Sequence, residues 1–301
     1  MSSPSRPRAS EADREYDRFG PWVIEISPED PPPPLFLPYL DRADVPLLSL
    51  KVPRRISRRE AHPGMDLYDF VVSAHEDDMV ILQRTQGGVE RRTLSYRDIR
   101  LVSLSAELLR GTLHLGLPEE SLELPFNTVS EALMRRLVDI VRARYGPAHP
   151  AHRALPREAV TEGLSFYFEG LLDSMRQAGS DMRPVAVQPQ VPLGSLDSTR
   201  LHRLVFGLVD KRLLESLHLT DGRELLVIDR GRAFAYRWHS VYGRVETWLP
   251  LAGITAARLE GDATGPLVTL VVSTPGGERR WVFRQDVPGL AAYREFLAKA
   301  G

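Results

Sequence analysis

The stretch from Thr93 to Tyr145 is written twice, the second time in altered residues between Thr247 and the C-terminus. In the first copy Leu94, Tyr96 and Ile99 lead into Val102 and Leu104, then Leu113 and Leu115, then Leu122, Leu124 and Phe126. In the second, Leu249, Leu251 and Ile254 lead into Ala257 and Leu259, then Val268 and Leu270, then Trp281 and Phe283. Ile254 less Ile99 is 155, and the shift holds through Leu115 and Leu270 before reaching 157 between Phe126 and Phe283. The length change then falls in the last hairpin turn, around Pro275, Gly276 and Gly277, since turns tolerate insertion. Short alternating apolar runs separated by turn residues predict strands with one buried and one wet face.

Each copy ends in a helical pattern. Thr128 and Glu131 have capping-box spacing, and Leu133, Leu137, Ile140, Val141 and Tyr145 follow on one helical face. In the second copy Asp286 is the expected cap, with Pro288 in the first turn and Leu290, Tyr293, Phe296 and Leu297 as the buried stripe. A chain of 301 residues suits about two domains.

A small antiparallel sheet covers its apolar face by folding over into a barrel or two crossed layers, and an amphipathic helix can plug the open end. Strand-rich units carrying Leu-x-Tyr or Leu-x-Leu and then Ile, each with one closing helix, resemble the bacterial pleckstrin-homology-like (PH-like) domains in tandem. The resemblance spans roughly Met65 to Tyr145 and Leu213 to Ala300. It implies an α+β, mainly β fold: two curled antiparallel sheets or partly open barrels, each closed by a C-terminal helix, with a helical connector. It also implies a non-catalytic intracellular module for protein interaction or scaffolding. Two unrelated all-β pieces are the alternative. Lipid-binding members of the family carry basic residues in and beside the first hairpin loop. Here that loop holds Glu76, Asp77 and Asp78, and its counterpart Thr220, Asp221, Gly222 and Arg223, so phosphoinositide recognition does not carry over.

The expected organisation is a disordered N-terminus over 1–18, whose Ser, Pro, Arg and Glu bury too little to offset ordering, then a proline-rich arm over 19–64 packed on the first domain. The first PH-like domain takes 65–146, a linker 147–212, and the second domain 213–301. Pro31 to Pro34 favour polyproline II and exclude a central strand, while Phe19, Trp22, Ile24, Phe36 and Tyr39 need covering. In the linker Val160, Leu164, Phe168, Leu171, Leu172 and Met175 predict an amphipathic helix over 157–177, followed by an exposed loop from Met182 to Ser195. Leu201, Leu204, Val205 and Leu208 suggest a further short helix.

The net charge of −1 lacks the concentrated positive field that phosphate recognition needs, which argues against a nucleic-acid partner. Of 39 cationic residues only those at 51, 211 and 299 are Lys, and Asn occurs only at 127, a bias expected of a high-GC bacterial genome. Absence of Cys removes disulfides, thiolate catalysis and Cys-based metal sites. Met1 to Ser10 lacks the apolar core of a signal peptide, and no apolar run approaches the ~20 residues that span a bilayer, so a cytoplasmic location is expected.

No phosphate loop, dinucleotide fingerprint, His-Glu-x-x-His, nucleophile elbow or EF-hand loop occurs, so no catalytic or cofactor-binding residue is assigned. No metal site is assigned either, since His149 and His152 flank Pro150 without a carboxylate at chelating spacing. Candidate partner-binding residues are the aromatics Phe234, Tyr236, Trp238 and Tyr242, with Phe166 and Tyr167 on the connector helix. Alternation places Phe234, Tyr236 and Trp238 on one face, where core packing is the first expectation and recognition follows if they are exposed. Lys51, Arg54, Arg55, Arg58 and Arg59 form the most basic stretch, either a solvated connector or a surface for anionic lipid on a membrane. The favoured partner is a protein, held in a groove beside a sheet edge and terminal helix or between the barrels. A membrane adaptor and an enzyme acting in the inter-domain cleft are the rivals.

Overall fold

The computed structural model describes residues 11–41, 45–145, 154–155, 161, 163–193, 211–236, 238–261 and 265–299. His149, His152 and the helix expected near Leu201 to Leu208 lie outside them. The chain divides into two compact units, one formed by Met1–Tyr96, Leu109–Gly111 and Leu124–Arg144, the other by Arg97–Leu108, Thr112–Glu123 and Tyr145–Gly301.

In the first unit, helix α1 (Glu11–Arg18) precedes a five-stranded antiparallel sheet in chain order: β1 (Ile24–Glu25), β2 (Leu48–Pro53), β3 (Tyr68–Ala74), β4 (Asp78–Thr85) and β5 (Gly88–Ser95). Tight turns set the register: His75 N–H donates to Asp78, and Gly88, at φ 129°, takes a conformation rarely open to L side chains. Phe19 and Phe36 pack against Tyr68, Val71, Val80 and Leu82, so β3 is covered along nearly its whole length. After the prolines the chain tightens into a 3-10 turn at Pro34–Tyr39, with Phe36 fully buried. β2 was expected as arm and basic connector. Its strand pattern is Leu48, Leu50 and Val52, with Ser49 and Lys51 on the opposite, also covered face, and Ser49 joins the Ser73 hydroxyl at 2.8 Å.

Helix α2 (Glu131–Arg142) buries Met134, Leu137, Val138 and Val141. A 3-10 turn over Thr128–Ser130 leads into the helix, which starts at Glu131. Asn127 accepts from Val129 N–H at 3.1 Å and starts that turn, while the Ser130 hydroxyl accepts from Val23 N–H.

The second unit contains most of a seven-stranded antiparallel sheet. Its strands are β6 (Leu101–Glu107), β7 (Arg110–Gly116), β8 (Ser121–Asn127), β9 (Arg183–Gln188), β12 (Ser216–Thr220), β13 (Glu224–Asp229) and β15 (Arg244–Pro250), in the order β8-β7-β6-β15-β13-β12-β9. Three-stranded sheets form from β10 (Val191–Pro192), β11 (Lys211–Leu213) and β14 (Phe234–Tyr236), and from β16 (Ala256–Glu260), β17 (Leu267–Thr274) and β18 (Gly277–Arg284). Among the described residues no sheet closes on itself. Helix α4 (Leu290–Ala298) follows, and its Leu290, Tyr293, Phe296 and Leu297 join Leu225, Leu249, Ile254 and Phe283 in the core.

Three local expectations change. The connector helix α3 runs from Phe166 to Gln177; of the stretch expected to precede it, 157–160 and 162 lie outside the described residues, Gly163 takes φ 86° and Ser165 is tied to Glu215. The loop expected over Met182 to Ser195 includes the buried strand β9, where Pro184 is tolerated because β9 lies at a sheet edge. Helix α4 starts after Gly289, at φ 78°, and Asp286 pairs with Arg284 instead of capping.

The repeat is sharper in three dimensions than in one. The 3-10 turns Tyr96–Asp98 and Leu251–Gly253 stand 155 apart, and Ile99 and Ile254 directly after them are both buried. Beyond the last hairpin the shift is 159, not 157. Phe283 lies opposite Val268, and Leu117 closing onto Glu120 sets Leu124, not Phe126, opposite Leu113. Leu290 less Glu131 is also 159, which aligns Met134, Leu137 and Val138 with Tyr293, Phe296 and Leu297. The second hairpin is longer by two residues on each strand, which the apolar spacing alone could not apportion.

Candidate functional site

The candidate aromatics Phe234, Tyr236, Trp238 and Tyr242 are not core. Phe234 and Tyr236 lie on β14, paired with Leu213 and Lys211 of β11, and Ala235 between them is the buried one. Trp238 is 65% exposed and stacks on Tyr236 with ring centroids 4.9 Å apart, and Tyr242 is 63% exposed. The Lys211 ammonium lies 5.0 Å from the Tyr236 ring, and Arg212 donates to the His239 carbonyl, fixing the turn that carries Trp238. On α3, Phe166 is 90% exposed. Tyr167 is partly committed: its ring lies 4.7 Å from the Arg230 guanidinium, and its hydroxyl accepts from Arg244.

The basic stretch does not form one surface. Lys51 is buried, donates to the Pro31 carbonyl at 3.1 Å, lies 4.0 Å from Asp30 and sits over the Tyr68 ring. Burial lowers its pKa, and Asp30 works against that shift. Arg54 binds the Asp66 carbonyl and stands 3.9 Å from Asp69, while Arg58 donates to the Tyr16 and Phe19 carbonyls. Arg55 and Arg59 are exposed.

A cleft of about 490 Å³ lies in the second unit between the seven-stranded sheet and β18. Sequence spacing gave no sign of it. Its floor is a cross-strand row. The β6–β7 hairpin, closed between Glu107 and Arg110, sets Ser103 opposite His114, and His114 faces Glu123 on β8 at 3.5 Å. In the other direction Ser103 pairs with Thr247, Thr247 with Val227, and Val227 with His218. Paired residues share a sheet face, so one face runs from the exposed Glu123 to the fully buried His218. Over this floor β18 lays Arg279, Trp281 and Phe283, alternate residues of one strand face. Trp281 and Phe283 pack on the His218 ring at 5.4 and 5.0 Å, and Arg279 reaches His114 Nε2 at 3.3 Å.

The groups of the cleft differ in how their charges are met. Arg232 pairs with Glu107, Arg280 with Glu260 and Glu278, and Glu215 with Arg230. Arg279 has no carboxylate within ion-pair distance among the described residues; its polar side-chain contact is His114, and burial lowers its pKa. Since the guanidinium donates, His114 Nε2 accepts and Nδ1 carries the proton toward Glu123. The His114 pKa is lowered, first by burial and then by Arg279, so the ring is neutral near pH 7. Asp229 accepts from Gly231 N–H at 2.6 Å and Trp281 Nε1 at 3.1 Å, with its pKa raised by burial. The Ser103 and Thr247 hydroxyls meet at 3.3 Å. The floor thus offers hydroxyls, a neutral imidazole and an uncompensated cation.

A second, more apolar groove of about 610 Å³ lies along α4, lined by Leu259, Gly261, Val268, Val287, Leu290 and Ala292 among others. Among the described residues β16 has β17 on one side and no strand on the other. Its counterpart β6 has β7 on one side and β15 on the other.

Among the described residues no group of three His, Cys, Asp or Glu side chains could hold a metal ion, and no helix is long and apolar enough to cross a membrane. No known protein-family model matches the chain, and no curated protein matches its sequence.

Proposed function

We propose that the chain is a non-catalytic intracellular protein-interaction module built from two PH-like copies, and that the second copy accepts an extended segment of a partner protein along β16. The carrying observation is the unequal use of equivalent edges. In the first copy the outer edge of β6 is completed by β15, with Thr247 opposite Ser103 and Trp248 opposite Val102. In the second copy the same edge, on β16, has no partner strand among the described residues, and the apolar groove of α4 lies beside it. An open edge supplies backbone donors and acceptors for strand addition, and the adjoining groove supplies side-chain selectivity. The element order, the shared 3-10 turns and the aligned helix stripes support the tandem PH-like assignment. Exposed Trp238 and Tyr242 add a surface of the composition that dominates interface energetics.

The membrane-adaptor alternative has less support, because Lys51, Arg54 and Arg58 are spent on the chain's own carbonyls and carboxylates. The test is a photo-crosslinking side chain at Leu259 of the full protein in its native cell, with Ala292→Arg as the groove-filling control. The expected result is one discrete protein adduct that the control removes. Adducts unaffected by Ala292→Arg, or none at all, would refute strand addition at this edge.

A further inference from the structure

We propose that the cleft floored by Ser103, His114 and Thr247 binds a small monocarboxylate, with Arg279 as its charge partner, His114 as the group beside it and Trp281 as a wall for the ligand's apolar body. The site is separate from the β16 edge, and nothing in it requires the interaction-module function to hold. Arg279 is a partly buried guanidinium with no carboxylate partner among the described residues, on a strand where its neighbour Arg280 is paired twice. A guanidinium drawn out of water is costly unless an anion meets it, and its planar fork matches a carboxylate. His114 occupies one donor direction now and can release it, because among the described residues its Nε2 accepts from Arg279 and no other group. The remaining walls are mixed, with Val245, Leu214 and Ala233 beside the indole of Trp281, the composition of a cleft that grips an apolar body by one polar end.

Charge selects the class of anion. The lining also carries Glu123, Glu215, Asp229 and Glu278, all acids, against one cation lacking an acidic partner. A dianion such as phosphate meets twice the repulsion from these groups and finds no second free guanidinium, so a monoanion is favoured. Glu123 is the exposed member of the row and stands 3.5 Å from His114, which makes it the group that most opposes an incoming carboxylate.

The experiment is a titration of the ¹⁵N-labelled full chain with benzoate and, separately, with inorganic phosphate, following the Arg279 Nε–Hε and His114 ring resonances. Benzoate is expected to shift both saturably at millimolar concentration, as suits one charge-assisted contact and one ring face. Arg279→Gln should weaken binding about tenfold or more, the loss of a hydrogen-bonded charge partner. Arg294→Gln, on α4 outside the cleft and paired with Glu295, should leave it unchanged. Glu123→Gln, on the exposed rim where folding is not at stake, should tighten benzoate binding severalfold. No saturable shift with benzoate, binding unaffected by Arg279→Gln, or weaker binding in Glu123→Gln would overturn the site. Phosphate binding as tightly as benzoate would overturn the assignment to monocarboxylates.

Discussion

Ser103 and Thr247, 144 positions apart in the chain, face each other across β6 and β15 with their hydroxyl oxygens 3.3 Å apart. Through this pair the face of β6, β7 and β8 that carries His114 and Glu123 becomes continuous with the face of β15, β13 and β12 that carries Val227 and His218. The cleft exists because of that continuity: one row supplies Glu123 and His114 at its wet end and His218 at its dry end.

His218 should make the protein acid-sensitive. It is fully buried, joined to Tyr293 hydroxyl at 2.9 Å and Ser216 hydroxyl at 3.3 Å, and its pKa is pushed from 6.5 down to about 3 by burial. The native ring stays neutral while the unfolded chain takes up a proton as pH falls through 6.5. Its contribution to stability is therefore intact above pH 6.5 and is lost at about 1.4 kcal/mol per pH unit below, until the folded pKa is reached. Urea unfolding at pH 7.5 and 5.0 should show the slope, and His218→Leu should flatten it while costing stability at both values. A wild-type unfolding free energy with no downward slope below pH 6.5 would contradict this.

Ile99 and Ile254 should be energetic equivalents. Each follows a 3-10 turn in its copy and each is buried to about the same degree. Ile→Ala at either position should cost about 2–5 kcal/mol, the usual range for emptying a core site. Thermal unfolding of the two variants checks it; a mild effect at one and a severe effect at the other would argue against equivalence.

The Glu215–Arg230 pair should be hard to break from one side. The two meet at 2.7 Å, Glu215 is buried, and its carboxylate also accepts from Ser165 N–H and hydroxyl at the start of α3. Arg230→Met strands a buried carboxylate and should destabilise by about 3–5 kcal/mol, whereas Glu215→Leu with Arg230→Met should recover much of that loss. Amide exchange should also report faster opening of Phe166 to Gly170 in the single variant.

Trp238 should matter for binding and not for folding. It stacks on Tyr236 but is mostly exposed, so Trp238→Ser should alter unfolding free energy by only about 0.5 kcal/mol. Partner recovery on affinity capture should fall severalfold if the aromatic surface contributes to recognition, and equal recovery from wild type and variant would remove it from the interface.

Local chemistry was enough to locate many elements. Period-two runs placed β6 to β8 and β16 to β18, the helical stripes placed α2 and α4, and Asp221 and Gly222 marked a hairpin loop, where Gly222 takes φ 86°. Alternation also put His114 between Leu113 and Leu115, and Glu123 between Leu122 and Leu124, on the non-core face. It could not tell that this face is covered. Where a strand was divided between two expected segments, as β2 was between the arm and the basic stretch at Lys51, or carried a proline, as β9 does at Pro184, it went unread. The exposure of Trp238, the burial of Lys51 and the meeting of Arg279 with His114 depend on pairings between residues far apart in the chain. Sequence alone determined which side chains share a strand face, because that follows from backbone geometry. Tertiary structure decided what lies opposite each face, because edge pairing and sheet packing are long-range choices.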